Sequence, residues 1–336
     1  MTTPTAALTA PIYVGGLDRC GKTTMSGFLT SHSRVAIPAV GSNMWTYFYA
    51  QYGDLGDPDN RDRCLAALLA YKHVAFLQPD EGRIRREFAA GPQTYAHLFS
   101  LFLAHHAERV GKPRWGAQTG LIERYADELV AAYPGVRIVH MMRDPRDRYE
   151  ASLAMWPDGR GRAGGAVARW RYSTALAERH QRRHPDQYLV VRFEDLVTDT
   201  EAVLRRVCAF VGEDFEPTML HMGDAPSQRA RVARDDGAVR LSPVHVGRFR
   251  TRVPPRELAF MQSQLRGRLR AWGYPVDPVR LGPAQRAAWL ARDWPDQTLR
   301  MAAWRTVEAL QQQFPQHVRR RPSSTMVLAV APEGTG

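Results

Sequence analysis

The stretch Gly16-Leu17-Asp18-Arg19-Cys20-Gly21-Lys22-Thr23 fits the pattern G-x-x-x-x-G-K-[ST] at every fixed position. An apolar run, Pro11 to Val14, precedes it and reads as a buried strand, and Thr23 to Thr30 reads as the start of a helix. Strand, glycine loop and helix in that order let backbone N–H groups wrap a phosphate that faces the helix N-terminus. The glycines allow the curl, Lys22 neutralises phosphate oxygens, and Thr23 and Thr24 add hydroxyl donors. The plain alternative is a turn that merely joins a strand to a helix. The flanking elements, both in place, argue against it.

The rest of the chain supplies a sheet around that loop. Continuous apolar runs at 136–142 and 188–193 read as parallel strands, with shorter ones at 35–40 and 114–120. Helical patterns lie between and after them, at 94–110, 122–133, 167–183, 201–211 and 255–272. The 336 residues suffice for one large α/β domain or two small ones. The alternation predicts a doubly wound, three-layer α/β sandwich with a central parallel sheet. Residues 1–10 read as a flexible arm and 11–275 as the main domain. Residues 276–336 form a C-terminal extension that could pack on the core, mediate a homodimer or help close a cleft. The polar, Arg-rich stretch 226–240 and the Gly/Arg-rich stretch 158–165 read as loops. The aromatic segment Trp45 to Tyr52 suits either core or the lining of an acceptor cleft.

Charge narrows the ligand chemistry. The chain carries a net charge of +12, and of its 46 basic residues only Lys22, Lys72 and Lys112 are lysines. Arginine presents a planar fork that suits phosphate and sulfate. No basic stretch is interleaved with aromatics and no nucleic-acid motif is present, so a nucleic-acid partner is not expected. Cys20, Cys64 and Cys208 make neither a disulfide framework nor a zinc pattern, which fits a reducing cytoplasm. No metal cluster is evident, and no run of about 18 apolar residues predicts a membrane span.

Four blocks together resemble one family. Arg114-Trp115-Gly116, then Tyr133-Pro134-Gly135, an apolar strand and Arg143-Asp144-Pro145-Arg146-Asp147 resemble the 3′-phosphate-binding region of sulfotransferases. Those enzymes use 3′-phosphoadenosine 5′-phosphosulfate (PAPS). Arg19-Cys20-Gly21-Lys22-Thr23-Thr24 resembles their 5′-phosphosulfate loop, with Lys22 where a hydroxyl residue is usual. Tyr188 to Val197 resembles the family's strand-Tyr-Glu-Asp-Leu block, and Val246 to Arg250 its C-terminal donor loop. The resemblance implies the P-loop-like sulfotransferase fold, PAPS as donor and adenosine 3′,5′-bisphosphate as product. It implies transfer of a sulfuryl group to a hydroxyl of a carbohydrate, lipid or small-molecule acceptor. Arg19 and Cys20 to Thr24 would hold the 5′-phosphosulfate, with Lys22 stabilising charge in the transfer. Arg143 would take the 3′-phosphate, Gly247 and Arg248 would close over it, and Phe193 would border the adenine.

The chain also departs from that pattern. The family's hydroxyl partner of the 3′-phosphate usually stands eight residues after the first Arg. Here that position is Ala151, and Ser152 follows it, turned by about 100° on a helix. Phe193 replaces a usual Tyr. Gln118-Thr119-Gly120 stands where many relatives have Lys-Thr-Pro. The base that some branches carry about twenty residues beyond the loop would fall at 41–43, which holds no carboxylate or imidazole. Asp54, His73, His97 and His105 remain as candidates, with Asp54 and His73 carried forward as catalytic. Two other readings stay open: a P-loop kinase or NTPase using Mg-ATP, and a nucleotide-binding module without catalysis.

Overall fold

The computed structural model describes residues 10–153, 161–221, 232–235, 238–241, 243–318 and 321–322, with backbone alone at 232–235 and 238–240. Five parallel strands form the centre: β1 (Ile12–Gly15), β2 (Val35–Ala36), β3 (Arg114–Gln118), β4 (Arg137–Met142) and β5 (Tyr188–Arg192). Their order is β2-β3-β1-β4-β5, with Tyr13 opposite Ala117 on one side and Ile138 on the other. β1 therefore lies mid-sheet, and the chain leaves it between two strands that run to opposite edges. In parallel sheets that is where ligands bind, outside the carboxyl ends of the strands.

Alternation along the buried strands feeds two cores. Ile138 and Met142 of β4 join the cluster on one face, with Tyr13, Trp115 and Tyr188. Val139 and Met141 join the other, with Ile12, Val14 and Val191. This is the period of two expected of a sheet covered on both sides.

The covering helices start and stop for local reasons. α1 (Lys22–Thr30) begins at Gly21, whose φ of 94° is left-handed. α2 (Tyr95–Arg109) is capped by the Thr94 hydroxyl, which accepts from His97 N at 3.2 Å. α3 (Pro145–Leu153) follows β4, and α4 (Ala163–Arg183) leads back to β5. α5 (Thr200–Val211) is capped by Asp199 and ends at Gly212, φ 77°. α6 (Pro255–Ala271) starts with Pro at its first position.

Part of the extension is ordered on the core. α7 (Trp294–Gln313) packs along α4. Gln297 accepts from Gly164 N at 2.7 Å and donates to Gly161 O at 2.6 Å. Glu308 of α7 also forms a buried ion pair with Arg124, in the turn Ile122–Tyr125.

Three expectations change in detail. Leu65 to Phe76, whose sequence also reads as one helical run, is two helices, Pro58–Ala70 and Lys72–Ala75, separated by extended Tyr71. The stretch 226–240, read as loop, includes an antiparallel hairpin, β6 (Val232–Asp235) with β7 (Ala238–Leu241). Neither strand, Val-Ala-Arg-Asp or Ala-Val-Arg-Leu, alternates apolar with polar residues, so the period of a half-buried strand is absent. In the stretch 158–165, residues from Ala163 already belong to α4. The 1–9 arm, residues 158–160 and the end from 323 lie outside the described residues. No described helix is long and apolar enough to cross a membrane.

Candidate active site

The loop after β1 is shaped by backbone geometry. A Cβ on Gly16 would lie 2.2 Å from Met141 O, so only glycine lets the loop cross the end of β4. Arg19 sits at φ 63° and is exposed. Cys20 points inward, with Sγ bonded to Leu17 O at 2.7 Å, and burial pushes its thiol up to about 11. Cys20 thus offers a ligand its backbone N–H and not its side chain. Lys22 folds back over the loop, donating from Nζ to Gly16 O and Leu17 O, each at 2.9 Å. Thr23 is exposed at the helix start, and its Oγ1 accepts from Gln118 Nε2 at 3.1 Å.

Arg143 follows β4 and is buried. It donates to Arg19 O at 3.0 Å and to His245 O at 2.6 Å, and its guanidinium lies 4.8 Å over the Phe193 ring. Its Nε is buried without a partner among the described residues, and burial lowers its pKa from the ordinary arginine value. Neither neighbouring aspartate takes it. Asp144 binds Arg146 through both oxygens, at 3.0 and 2.6 Å. Asp147 accepts from Gly247 N at 2.6 Å and from Phe249 N at 3.0 Å. Burial raises the Asp147 pKa despite those donors.

Those two bonds bring the chain near 247 to the start of α3. Gly247 turns there at φ 79°. Arg248 reaches Glu150 at 3.2 Å and His245 Nδ1 at 3.2 Å. Glu194 ties the third side, accepting from Asp144 N at 2.9 Å and from the Tyr274 hydroxyl at 3.1 Å. The structure therefore brings together the loop at 19–24, Arg143, Phe193 and 247–248.

Ser152 is turned away from this group. Its hydroxyl donates to Tyr149 O at 2.7 Å, one turn back on its own helix, and it lines a separate cavity beside Asp18 and Arg148. The rotation that one extra residue imposes on a helix accounts for this.

The candidate bases part company. Asp54 is exposed, and its carboxylate accepts from Gly56 N at 2.9 Å in a tight turn. His97 stacks on Phe88, and His105 Nε2 lies 2.7 Å from Glu87. Both histidines serve the packing of helix Glu81–Ala90 on α2. His73 differs. Its Nδ1 lies 2.6 Å from Gly41 O and 3.0 Å from the Tyr71 hydroxyl, and because the carbonyl can only accept, a proton on Nδ1 satisfies that contact and leaves Nε2 as the nitrogen available to accept. Gly41 in turn abuts Gln118, whose amide reaches Thr23. Asn43 completes this wall, accepting from Gly120 N at 2.9 Å. A Cβ on Gly120 would be 3.7 Å from Lys22 Nζ. The cation missing after β3 thus has a counterpart in Lys22, which reaches the same place from the loop.

Several groups at this site carry no local sequence signal. Asp18 lies inside the loop motif at a position the pattern leaves free, and it pairs with Arg148 at 2.9 Å. Burial opposes its ionisation, yet Arg148 and Lys22 together hold its pKa below the usual carboxylate value. Trp170 donates to Arg143 O at 3.0 Å from the middle of α4. Only Asp147 had a signal, as the last residue of the Arg-Asp-Pro-Arg-Asp block.

Comparison with known proteins bears on the family and the fold. The model of the Sulfotransferase family matches residues 11–217. The sulfotransferase domain of the Synechococcus PCC 7002 olefin synthase is 18% identical, with a TM-score of 0.56 over 80% of this chain and 96% of that one. Sulfotransferase STF9 of Mycobacterium avium is 14% identical, with a TM-score of 0.46 over 80% of this chain and 78% of that one. A mouse sulfotransferase complexed with PAP is 12% identical, with a TM-score of 0.44 over 78% of this chain and 84% of that one. No curated protein matches the chain in sequence.

Proposed function

The chain belongs to the sulfotransferase family, and from that footing we propose that it transfers a sulfuryl group from PAPS to an acceptor hydroxyl, releasing adenosine 3′,5′-bisphosphate. One observation carries the donor assignment. The Arg143 guanidinium lies against the Phe193 ring, and that ring lies against Gly21 of the phosphate loop. A phosphate-binding loop, an aromatic face and a buried arginine fork thus follow one another. A nucleotide phosphorylated at both 5′ and 3′ ends asks for that sequence of groups. The unpartnered Arg143 Nε fits a further acceptor oxygen.

Bound there, the donor supplies an electrophilic sulfur with the nucleotide 5′-phosphate as leaving group. The amides of Gly21 to Thr24 and the Lys22 ammonium stabilise negative charge on the bridging and leaving oxygens. Arg143, Gly247 and Arg248 hold the 3′-phosphate, and Phe193 stacks with the adenine. His73 Nε2 accepts the proton of the attacking hydroxyl, while Gly41 O fixes the tautomer. The Mg-ATP reading has no comparable support, because Asp144, the first acid after β4, is bound at both oxygens by Arg146.

The direct test is calorimetric titration with adenosine 3′,5′-bisphosphate, beside ADP and ATP with Mg2+. Tight bisphosphate binding without Mg2+ and weak ATP binding support the reading. A preference for Mg-ATP overturns it.

A further inference from the structure

A second basic site lies beside the loop. The cavity that Ser152 faces has a volume of about 440 Å3 and is lined by Asp18, Arg148, Tyr149, Arg162 and Arg169. None of Gly21, Lys22, Arg143, Phe193 or Gly247 lines it. Yet it touches the transfer site, because Asp18 sits in the loop and its carboxylate feels the charge of Lys22.

Its inner wall is buried at Arg148, and Arg162 and Arg169 stand exposed at its rim. Arg148 is 2% exposed in its side chain, and Asp18 engages only its terminal nitrogen. The Arg148 Nε is buried without a partner among the described residues. Opposite it, Arg162, Gly165, Ala166 and Arg169 follow the i, i+3, i+4, i+7 spacing of one helix face. Two small residues between two arginines leave an opening with a guanidinium at either end. Three arginines face one aspartate, so the cavity carries a positive excess, strongest at buried Arg148 and screened by solvent at Arg162 and Arg169. A neutral sugar or sterol would leave that charge unmatched.

We infer that this cavity is the acceptor subsite, and that the acceptor is a small hydroxyl compound bearing its own anionic group, a carboxylate, phosphate or sulfate, held by Arg148, Arg162 and Arg169. The inference rests on the sulfotransferase reading for the word acceptor, but the anion site stands on the cavity itself. The volume suits a sugar acid, a sugar phosphate or a phenolic acid. The anion anchors one end against α4, and the hydroxyl is directed past Asp18 towards Lys22.

The test uses the full chain saturated with adenosine 3′,5′-bisphosphate. Calorimetric titrations compare glucuronate and glucose 6-phosphate with glucose, and 4-hydroxyphenylacetate with its amide. The anionic partner should bind at least about tenfold more tightly in each set, as one or more charge-assisted bonds require. Arg169→Gln and Arg162→Gln should each remove most of that preference while leaving bisphosphate affinity unchanged. Equal binding of charged and neutral partners, binding of none of the anions, or a preference that survives both substitutions overturns the inference. If the bisphosphate itself fails to bind, the donor reading falls. The same titrations without it then judge the anion site alone, by the same outcomes.

Discussion

The Phe193 ring fills the space that a side chain on Gly21 would need: a Cβ there would lie 2.5 Å from Phe193 Cδ2. Gly21 also has a φ of 94°, which a side chain strains by about 1–3 kcal/mol. Gly21→Ala should therefore push the ring from the loop and lower bisphosphate affinity by about tenfold or more. Calorimetry reads the affinity. A Phe193→Leu, Gly21→Ala pair should recover part of it if the ring contact is the cause.

Lys22 donates to two carbonyls of the loop and its ammonium lies beside Gly120, so its removal acts on both shape and charge. Lys22→Ala should reduce turnover about 10²–10³-fold, the size expected for loss of one preorganised charge donor. Steady-state rates with a working acceptor, beside a thermal melt, check it. Near-normal turnover in a folded variant would remove Lys22 from the mechanism.

Arg143 should decide between nucleotides with and without a 3′-phosphate. Arg143→Lys keeps a charge but loses the fork. It should weaken adenosine 3′,5′-bisphosphate by about 10–100-fold and adenosine 5′-phosphate far less. Parallel titrations measure the ratio, and an unchanged ratio would place the 3′-phosphate elsewhere.

If His73 is the base, His73→Gln should lower kcat by about 10²–10⁴-fold with bisphosphate affinity unchanged, because none of its contacts is to the donor-site residues Arg143, Phe193 or Gly247. A base also leaves a mark in the pH profile: the acidic limb of kcat should flatten in the variant. A limb that persists would return His73 to a structural role beside Gly41.

All three cysteines are buried and free. Burial pushes Cys20 and Cys208 up to about 11 and Cys64 up to about 12, so the reactive thiolate is scarce at pH 8. A thiol reagent such as DTNB should react slowly with the native protein and with all three groups after denaturation. Rapid native reaction of Cys20 would show that the phosphate loop opens.

The strands and the loop were legible because burial on both faces writes continuous apolar runs, and because phosphate binding demands glycine, lysine and hydroxyl at fixed spacing. Arg143 and Phe193 were legible only as parts of family blocks. Their contact across β4 and β5 depends on strand order, which no local pattern carries. His73 illustrates the limit from the other side. Four candidate bases looked alike in sequence, and what separates them is a carbonyl 32 residues away that fixes one tautomer. Arg148 and Arg169 were hidden by abundance: among so many arginines, only their convergence on one cavity distinguishes them. The hairpin at 232–241 was missed because a two-stranded ribbon rich in Arg lacks the apolar run of a core strand.

The bond between Asp147 and the amide of Gly247 has a consequence for how the molecule assembles. It joins residues 100 positions apart, and the sheet itself can pair without it. β1 pairs with β3 and β4 across separations at least as long, but Gly247 lies beyond Arg192, the last residue of the central sheet, so this closure waits for chain that is made after every strand. A chain emerging from the ribosome would therefore complete its phosphate loop well before its second phosphate grip. Nucleotide capture would then mark the final stage of folding, and in a refolding experiment it should lag behind the recovery of secondary structure.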